Sequence, residues 1–229
     1  MDIVLSRDDP LWNTYMTYNE AVRLQRNGEF EQAESLYRRV VSEKPDLWEA
    51  YNNLGNVLQK QGRNDEAFSV HEFGASGTRN TERTDMLACF LNNMGHIVQE
   101  KAGHDPNMLR RAYEYFSLAL RAEPMQIDAR FNQGGTLSKL GHYDEALKVF
   151  EEIQAMEPSH VSSKLEIGNI YFKLHNYEKA AKYHYDAAYS DAAMVAKPIE
   201  RMRGLMNLGQ TLRSWSRAEE AEKAFADAA

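Results

Sequence analysis

The chain has 229 residues, of which 43% are hydrophobic and 27% charged, and it carries a formal net charge of −7 at pH 7. This acidic balance argues against a general nucleic-acid binder, which would show a basic surface. No apolar run approaches the roughly 18 residues of a membrane-spanning helix, so no membrane insertion is expected. The apolar run at the start, Ile3 to Leu5, is too short for a secretory signal.

A single cysteine, Cys89, cannot form an internal disulfide. Its isolation is typical of a protein in a reducing compartment. We therefore expect an intracellular location, the cytoplasm first, with the nucleus left open.

The first predicted helix starts at Asp9-Pro10, because aspartate is a good N-cap and proline fits the first helical turn. A lead-in covers residues 1–13. From residue 14 on, the chain divides into six segments that each read as helix, turn, helix. Their predicted ranges are 14–47, 48–87, 88–126, 127–160, 161–201 and 202–229, the last of them incomplete.

Each segment repeats one pattern of small and aromatic residues. In the most regular copy, residues 127–160, Gly134-x2-Leu137 precedes Gly141 and Tyr143, and Ala146-x3-Phe150 follows before Pro158. The other copies keep a small residue at the eighth position and an aromatic residue or histidine at the twenty-fourth, which in the third copy is displaced by five residues to Phe116. The eighth positions are Ala21, Gly55, Gly95, Gly134, Gly168 and Gly209.

These residues at these spacings resemble the tetratricopeptide repeat, a helix–turn–helix unit of about 34 residues. The resemblance implies an all-α, right-handed superhelical solenoid of about six repeats, in which the small eighth position lets two helices approach closely. The copy at 127–160 departs from the family at two positions, with Arg130 in place of tryptophan and Gln133 in place of leucine.

The spacing between successive eighth positions is irregular: 34, 40, 39, 34 and 41 residues. The extra residues fall near 74–78, 103–107 and 190–197. Because insertions into surface loops cost little free energy, loops are the first interpretation. Longer second helices, as in a known variant of the family, are the alternative.

The resemblance also implies a binding groove lined by the first helix of each repeat. Five of the six residues at the sixth position are asparagine, and the ninth position is polar in most copies. Each carboxamide offers donors and an acceptor, so a row of them can pair with the N–H and C=O groups of an extended peptide. The predicted peptide-binding residues are Asn19, Asn53, Asn56, Asn93, His96, Asn132, Asn169, Asn207 and Gln210.

This row is similar to the asparagine ladder in the repeats of the O-linked N-acetylglucosamine transferase, which holds peptides by their backbone. Packing between neighbouring helices is an equally strong explanation of the same asparagines. Groove positions also offer aromatic and basic anchors for a ligand. These are Tyr15, Tyr18, Phe131, Phe172, Lys60, Lys139, Lys173, Arg203 and Arg213.

No catalytic, metal or cofactor site is predicted. The seven histidines are scattered, and His71 and His184 occupy the aromatic packing position. The carboxylate clamp of chaperone-binding repeats is not matched, because Asn52, Asp128 and Asn132 stand where the clamp needs lysine or arginine.

The sequence thus predicts a non-catalytic scaffold that binds a peptide or a partner helix of another protein in its groove. Two alternatives stay open: a substrate-docking segment of a larger enzyme, such as a glycosyltransferase of the type named above, and a self-assembling array. The chain stops at Ala229 inside a second helix, where a polar capping helix would be expected. This favours a fragment and leaves an uncapped end for self-association.

Overall fold

A computed structural model describes residues 11–190 and 198–228 of the chain. Within these ranges every regular element is an α-helix, as predicted. The helices are α1 (Trp12–Arg26), α2 (Phe30–Glu43), α3 (Trp48–Lys60), α4 (Asn64–Thr78), α5 (Thr84–Ala102), α6 (Pro106–Ala122), α7 (Ile127–Lys139), α8 (Tyr143–Met156), α9 (Val161–Lys173), α10 (Tyr177–Tyr189), α11 (Pro198–Ser214) and α12 (Ala218–Asp227). None of these helices has the length and apolar character needed to cross a membrane.

A residue with positive φ ends the first helix of most hairpins. Gly28, Gly62 and Gly141 adopt φ of 82°, 76° and 82°, and His175 and Ser216 take the equivalent place with φ of 58° and 62°. At each end the N–H of this residue and the N–H of the residue after it donate to carbonyls of the last helical turn, which satisfies carbonyls that the helix leaves unpaired. The turn geometry therefore persists where glycine is replaced by a side chain that the left-handed region disfavours.

The extra residues of the second and third repeats form helix, so the loop interpretation is wrong at both places. Residues 74–78 belong to α4, and α5 and α6 have 19 and 17 residues around a turn of only three. Gly74 and Gly77 looked like loop residues, but aromatic rings lie against them. A Cβ at Gly74 would be 2.3 Å from the Phe90 ring, and one at Gly77 would be 2.2 Å from the Trp48 ring. The third insertion, near 190–197, lies almost entirely outside the described residues.

The chain forms two compact units, residues 1–129 and 130–229. In the first unit α1/α2, α3/α4 and α5/α6 pair as hairpins, and in the second α9/α10 and α11/α12 do so. The first helices of consecutive hairpins contact one another directly, α1 with α3, α3 with α5, and α9 with α11. No described pair of second helices comes as close. The first helices therefore lie on the inner side of the curve within each unit.

The predicted close approach of the two helices in a hairpin is present in the structure. A Cβ at Gly95 would be 2.7 Å from the ring of Phe116, and one at Gly55 would be 2.4 Å from the ring of His71. Both rings are fully buried. Glycine at the eighth position thus fixes the distance between helices by letting the ring at the twenty-fourth position rest on its backbone.

Candidate peptide-binding cleft

A cleft of about 380 Å³ opens on the inner side of the first unit, between side chains of α1, α3 and α5. We call it the amide cleft, because five of its lining residues carry a carboxamide. Its lining consists of Gln25, Asn56, Gln59, Lys60, Asn92, Asn93, His96 and Glu100. The structure thus brings together three of the predicted peptide-binding residues.

Sequence reasoning did not select Gln25, Gln59 and Asn92 as peptide-binding residues. All three occupy groove positions of their repeats, the twelfth for Gln25 and Gln59 and the fifth for Asn92. A polar residue at a position that faces the groove in the family could have identified them. They were passed over because asparagine recurs more regularly at the sixth position.

The carboxamide of Asn93 joins two hairpins. Its Nδ2 donates to Oδ1 of Asn52 at 2.9 Å and to Oδ1 of Asn56 at 3.1 Å. Among the described residues, Oδ1 of Asn93 and Nδ2 of Asn56 have no hydrogen-bond partner. Each amide therefore uses part of its hydrogen-bonding capacity to pack one hairpin against the next, while the remaining capacity is not used by the described residues.

Asn53 lies one turn before Asn56 and contributes to packing. Its Nδ2 donates to the hydroxyl of Tyr18 at 3.1 Å, and burial raises the pKa of Tyr18. Beside it, the hydroxyl of the fully buried Tyr37 donates to Oε1 of Gln25 at 2.6 Å. That bond fixes Gln25, which lines the amide cleft. Asn19 is exposed on α1 and is not part of the lining.

Three titratable groups border the amide cleft. Lys60 is exposed and has no ion-pair partner within the part of the chain that the structure describes. His96 Nδ1 lies 3.8 Å from Glu100 Oε1, and both side chains are about half exposed. The cleft therefore combines neutral amides with one lysine that has no ion-pair partner among the described residues and with the carboxylate of Glu100.

In the second unit two of the predicted amides, Asn169 and Asn207, connect helices. Asn207 Nδ2 donates to Oδ1 of Asn169 at 3.0 Å, and Nε2 of His184 lies 3.2 Å from the same oxygen. Burial lowers the pKa of His184 to about 4, so the ring is neutral at physiological pH. Asn132 is half-buried on α7, and Gln210 is exposed on α11.

A second cleft, of about 650 Å³, lies between α10, α11 and α12 and was not predicted. Tyr185, Tyr189 and Trp215 line it together with Lys182 and aliphatic side chains of α11. The hydroxyl of Tyr189 donates to Oδ2 of Asp227 at 2.6 Å. That hydrogen bond, with burial, raises the pKa of Tyr189 to about 12.

Comparison with known proteins supports the repeat pattern. The tetratricopeptide repeat model matches residues 18–70 and 131–197, more than half of the chain. The anaphase-promoting complex subunit 3 of Schizosaccharomyces pombe is 25% identical over 132 residues, which cover 58% of this chain and 18% of that protein. The chain therefore spans less than a fifth of that relative.

Solved structures with a similar fold include PilW, described as a type IV pilus biogenesis factor, with a TM-score of 0.76 and 18% identity over 94% of this chain and 92% of PilW. BtubC from P. vanneervenii has a TM-score of 0.66 at 18% identity over 94% and 89% of the two chains. YrrB, described as having an unusual peptide-binding site, has a TM-score of 0.53 at 24% identity over 80% and 91%. At these identities the likeness shows the fold alone.

Proposed function

Because the chain belongs to the tetratricopeptide repeat family, we propose that it is a non-catalytic scaffold for protein–protein interaction and that the amide cleft binds an extended segment of a partner. The observation that carries the proposal is the concentration of five carboxamides on one inner surface built from three consecutive first helices. Such a surface can pair with peptide N–H and C=O groups without reading the peptide's side chains.

The free energy available from the hydrogen bonds indicates what else the ligand needs. A net hydrogen bond contributes roughly 0.5–1.5 kcal/mol, so four bonds to the amides would contribute roughly 2–6 kcal/mol. Micromolar affinity needs about 8 kcal/mol. The remainder has to come from side chains of the peptide. Lys60 is the basic anchor at the cleft, which favours a peptide with an acidic residue beside the segment held by the amides.

Gln59 and Lys60 provide the sharpest test, because neither takes part in the hydrogen bonds that join the hairpins. Peptides would be selected from a random phage-displayed library on the wild-type chain and measured again on Gln59→Ala with Lys60→Ala. We expect the affinity to fall about tenfold or more. The matched control is Gln32→Ala, an exposed glutamine on the second helix α2. If the selected peptides bind the double variant as tightly as wild type, the amide cleft is not the site.

The relative from Schizosaccharomyces pombe is named as a subunit of a complex, which favours a scaffold that works within an assembly. We therefore propose that the partner belongs to a multiprotein assembly. The substrate-docking and self-assembling alternatives stay predictions. Native mass spectrometry over a wide range of protein concentration separates the self-assembling array from a monomeric scaffold.

A further inference from the structure

Charge is sorted between the first and second helices of the second unit. α9, α11 and the part of α7 from residue 130 carry seven basic and two acidic side chains, whereas α8, α10 and α12 carry four basic and ten acidic ones. The first unit shows no such sorting on its inner side, since α1, α3 and α5 carry four of each sign. In an acidic chain, the first helices of the second unit are thus a basic exception.

An apolar stripe runs along the exposed face of α11. Ile199, Met202 and Met206 are 70%, 47% and 42% exposed, and their spacing of three and four residues places them on one helix face. Gln210 and Arg213 continue this face toward the end of the helix and are also exposed. We call it the methionine stripe.

Two guanidinium groups lie at the methionine stripe, that of Arg203 beside it and that of Arg213 at its end. The Arg203 side chain is 52% exposed and lies 3.9 Å from Glu166 Oε1 on α9, and Arg213 lies with its guanidinium 5.9 Å from the ring of Phe225. The acidic residue of α11, Glu200, is half-buried and accepts a hydrogen bond from Ser162 at 2.7 Å. It is therefore directed toward α9, and the stripe itself carries only apolar, amide and basic side chains.

We propose that the methionine stripe docks an acidic amphipathic helix of a partner protein. A partner helix presents apolar side chains at the same spacing of three and four residues, and methionine adapts its shape to different apolar partners. Acidic residues beside that apolar face would pair with Arg203 and Arg213. The acidic second helices α8 and α12 repel the same partner, so the field of the unit directs it to the inner side.

This surface differs from the amide cleft in what it recognises. The amide cleft lies in the first unit and pairs with the peptide backbone, whereas the methionine stripe lies in the second unit and reads apolar and acidic side chains. Gln59→Ala should therefore leave binding at the stripe unchanged. The failure of either proposal can be recognised without the other.

The test uses the full chain and a fluorescein-labelled helical peptide with leucine at every third or fourth position and glutamate on its remaining surface. Fluorescence anisotropy should show binding that weakens as salt rises. A peptide with lysine in place of each glutamate should bind with an affinity at least about tenfold lower. Met206→Glu should lower the affinity for the acidic peptide about tenfold. Its matched control, Met125→Glu, changes a methionine that is 65% exposed in the first unit and should have no effect.

A second pair of variants tests the charges. Arg203→Glu with Arg213→Glu should remove most of the salt dependence, whereas Lys223→Glu on the second helix α12 should keep it. The proposal is overturned if the acidic peptide does not bind wild type, or if the lysine peptide binds equally well. It is also overturned if Met206→Glu and Met125→Glu behave alike, or if only Tyr185→Ala, in the cleft between α10, α11 and α12, abolishes binding.

Discussion

Replacing His71 with phenylalanine is expected to stabilise the first unit. His71 is fully buried, and neither of its ring nitrogens has a hydrogen-bond partner among the described residues. An unsatisfied buried polar group costs roughly 1–3 kcal/mol. Phenylalanine fits the position in this fold, since Phe116 rests on Gly95 and Phe225 on Gly209 in the same way. After some strain from the larger ring, we expect a gain of about 1 kcal/mol at neutral pH.

The stability gained by His71→Phe should increase as the pH falls. Burial lowers the pKa of His71 to about 4, below the value of about 6.5 in an unfolded chain. As the pH falls from about 7, the unfolded chain takes up this proton first, and the folded chain does so only near pH 4. The free energy of unfolding of the wild-type chain therefore falls progressively across that window. At about pH 5 the loss is about 2 kcal/mol, and phenylalanine removes it.

The assay is urea unfolding followed by tryptophan fluorescence at about pH 7.5 and about pH 5. A Trp215→Phe background leaves Trp12 and Trp48, which both lie in the first unit, so the signal reports that unit alone. His104→Phe, at an exposed histidine in the turn after α5, is the matched control. The advantage of His71→Phe over the parent should widen by about 2 kcal/mol at the lower pH. An advantage of equal size at both pH values would refute a buried, neutral and unpaired imidazole.

Other substitutions test the packing. Gly95→Ala should destabilise the chain by about 1–3 kcal/mol, because its Cβ would be 2.7 Å from the Phe116 ring. Gly135→Ala should stabilise the chain by about 0.5–1 kcal/mol, because no atom lies within 4 Å of the new Cβ. If Gly95→Ala and Gly135→Ala shift the thermal midpoint equally, the difference in their contacts does not determine stability. Ser216→Gly should raise that midpoint by relieving the φ of 62°, worth roughly 0.5–1 kcal/mol, and a lower midpoint would argue against the left-handed turn. Asn93→Ala should cost about 1–3 kcal/mol through its two hydrogen bonds between hairpins, with unchanged helix content by circular dichroism.

The sequence was most informative where the determinants are local. Small residues at the eighth position and rings at the twenty-fourth predicted helical hairpins, because a ring can rest on a backbone without a Cβ. The same reasoning failed at residues 74–78. Gly74 and Gly77 are of a residue type common in loops, but in the structure they lie in a helix. The rings of Phe90 and Trp48, which come from other helices, pack against them.

By itself, the sequence determined the all-α hairpins and the row of asparagines, since both depend on spacing along the chain. Tertiary structure decided how that row is used. It turned part of the capacity of Asn93 toward Asn52 and Asn56 and placed glutamines from two helices beside them in one cleft. The charges of α11 can be counted in the sequence, but the exposure of Met202 and Met206 depends on which side of the helix the neighbouring helices cover. Hydrogen-bond capacity and exposed area are shared between segments distant in sequence, and only their packing shows what is left for a partner.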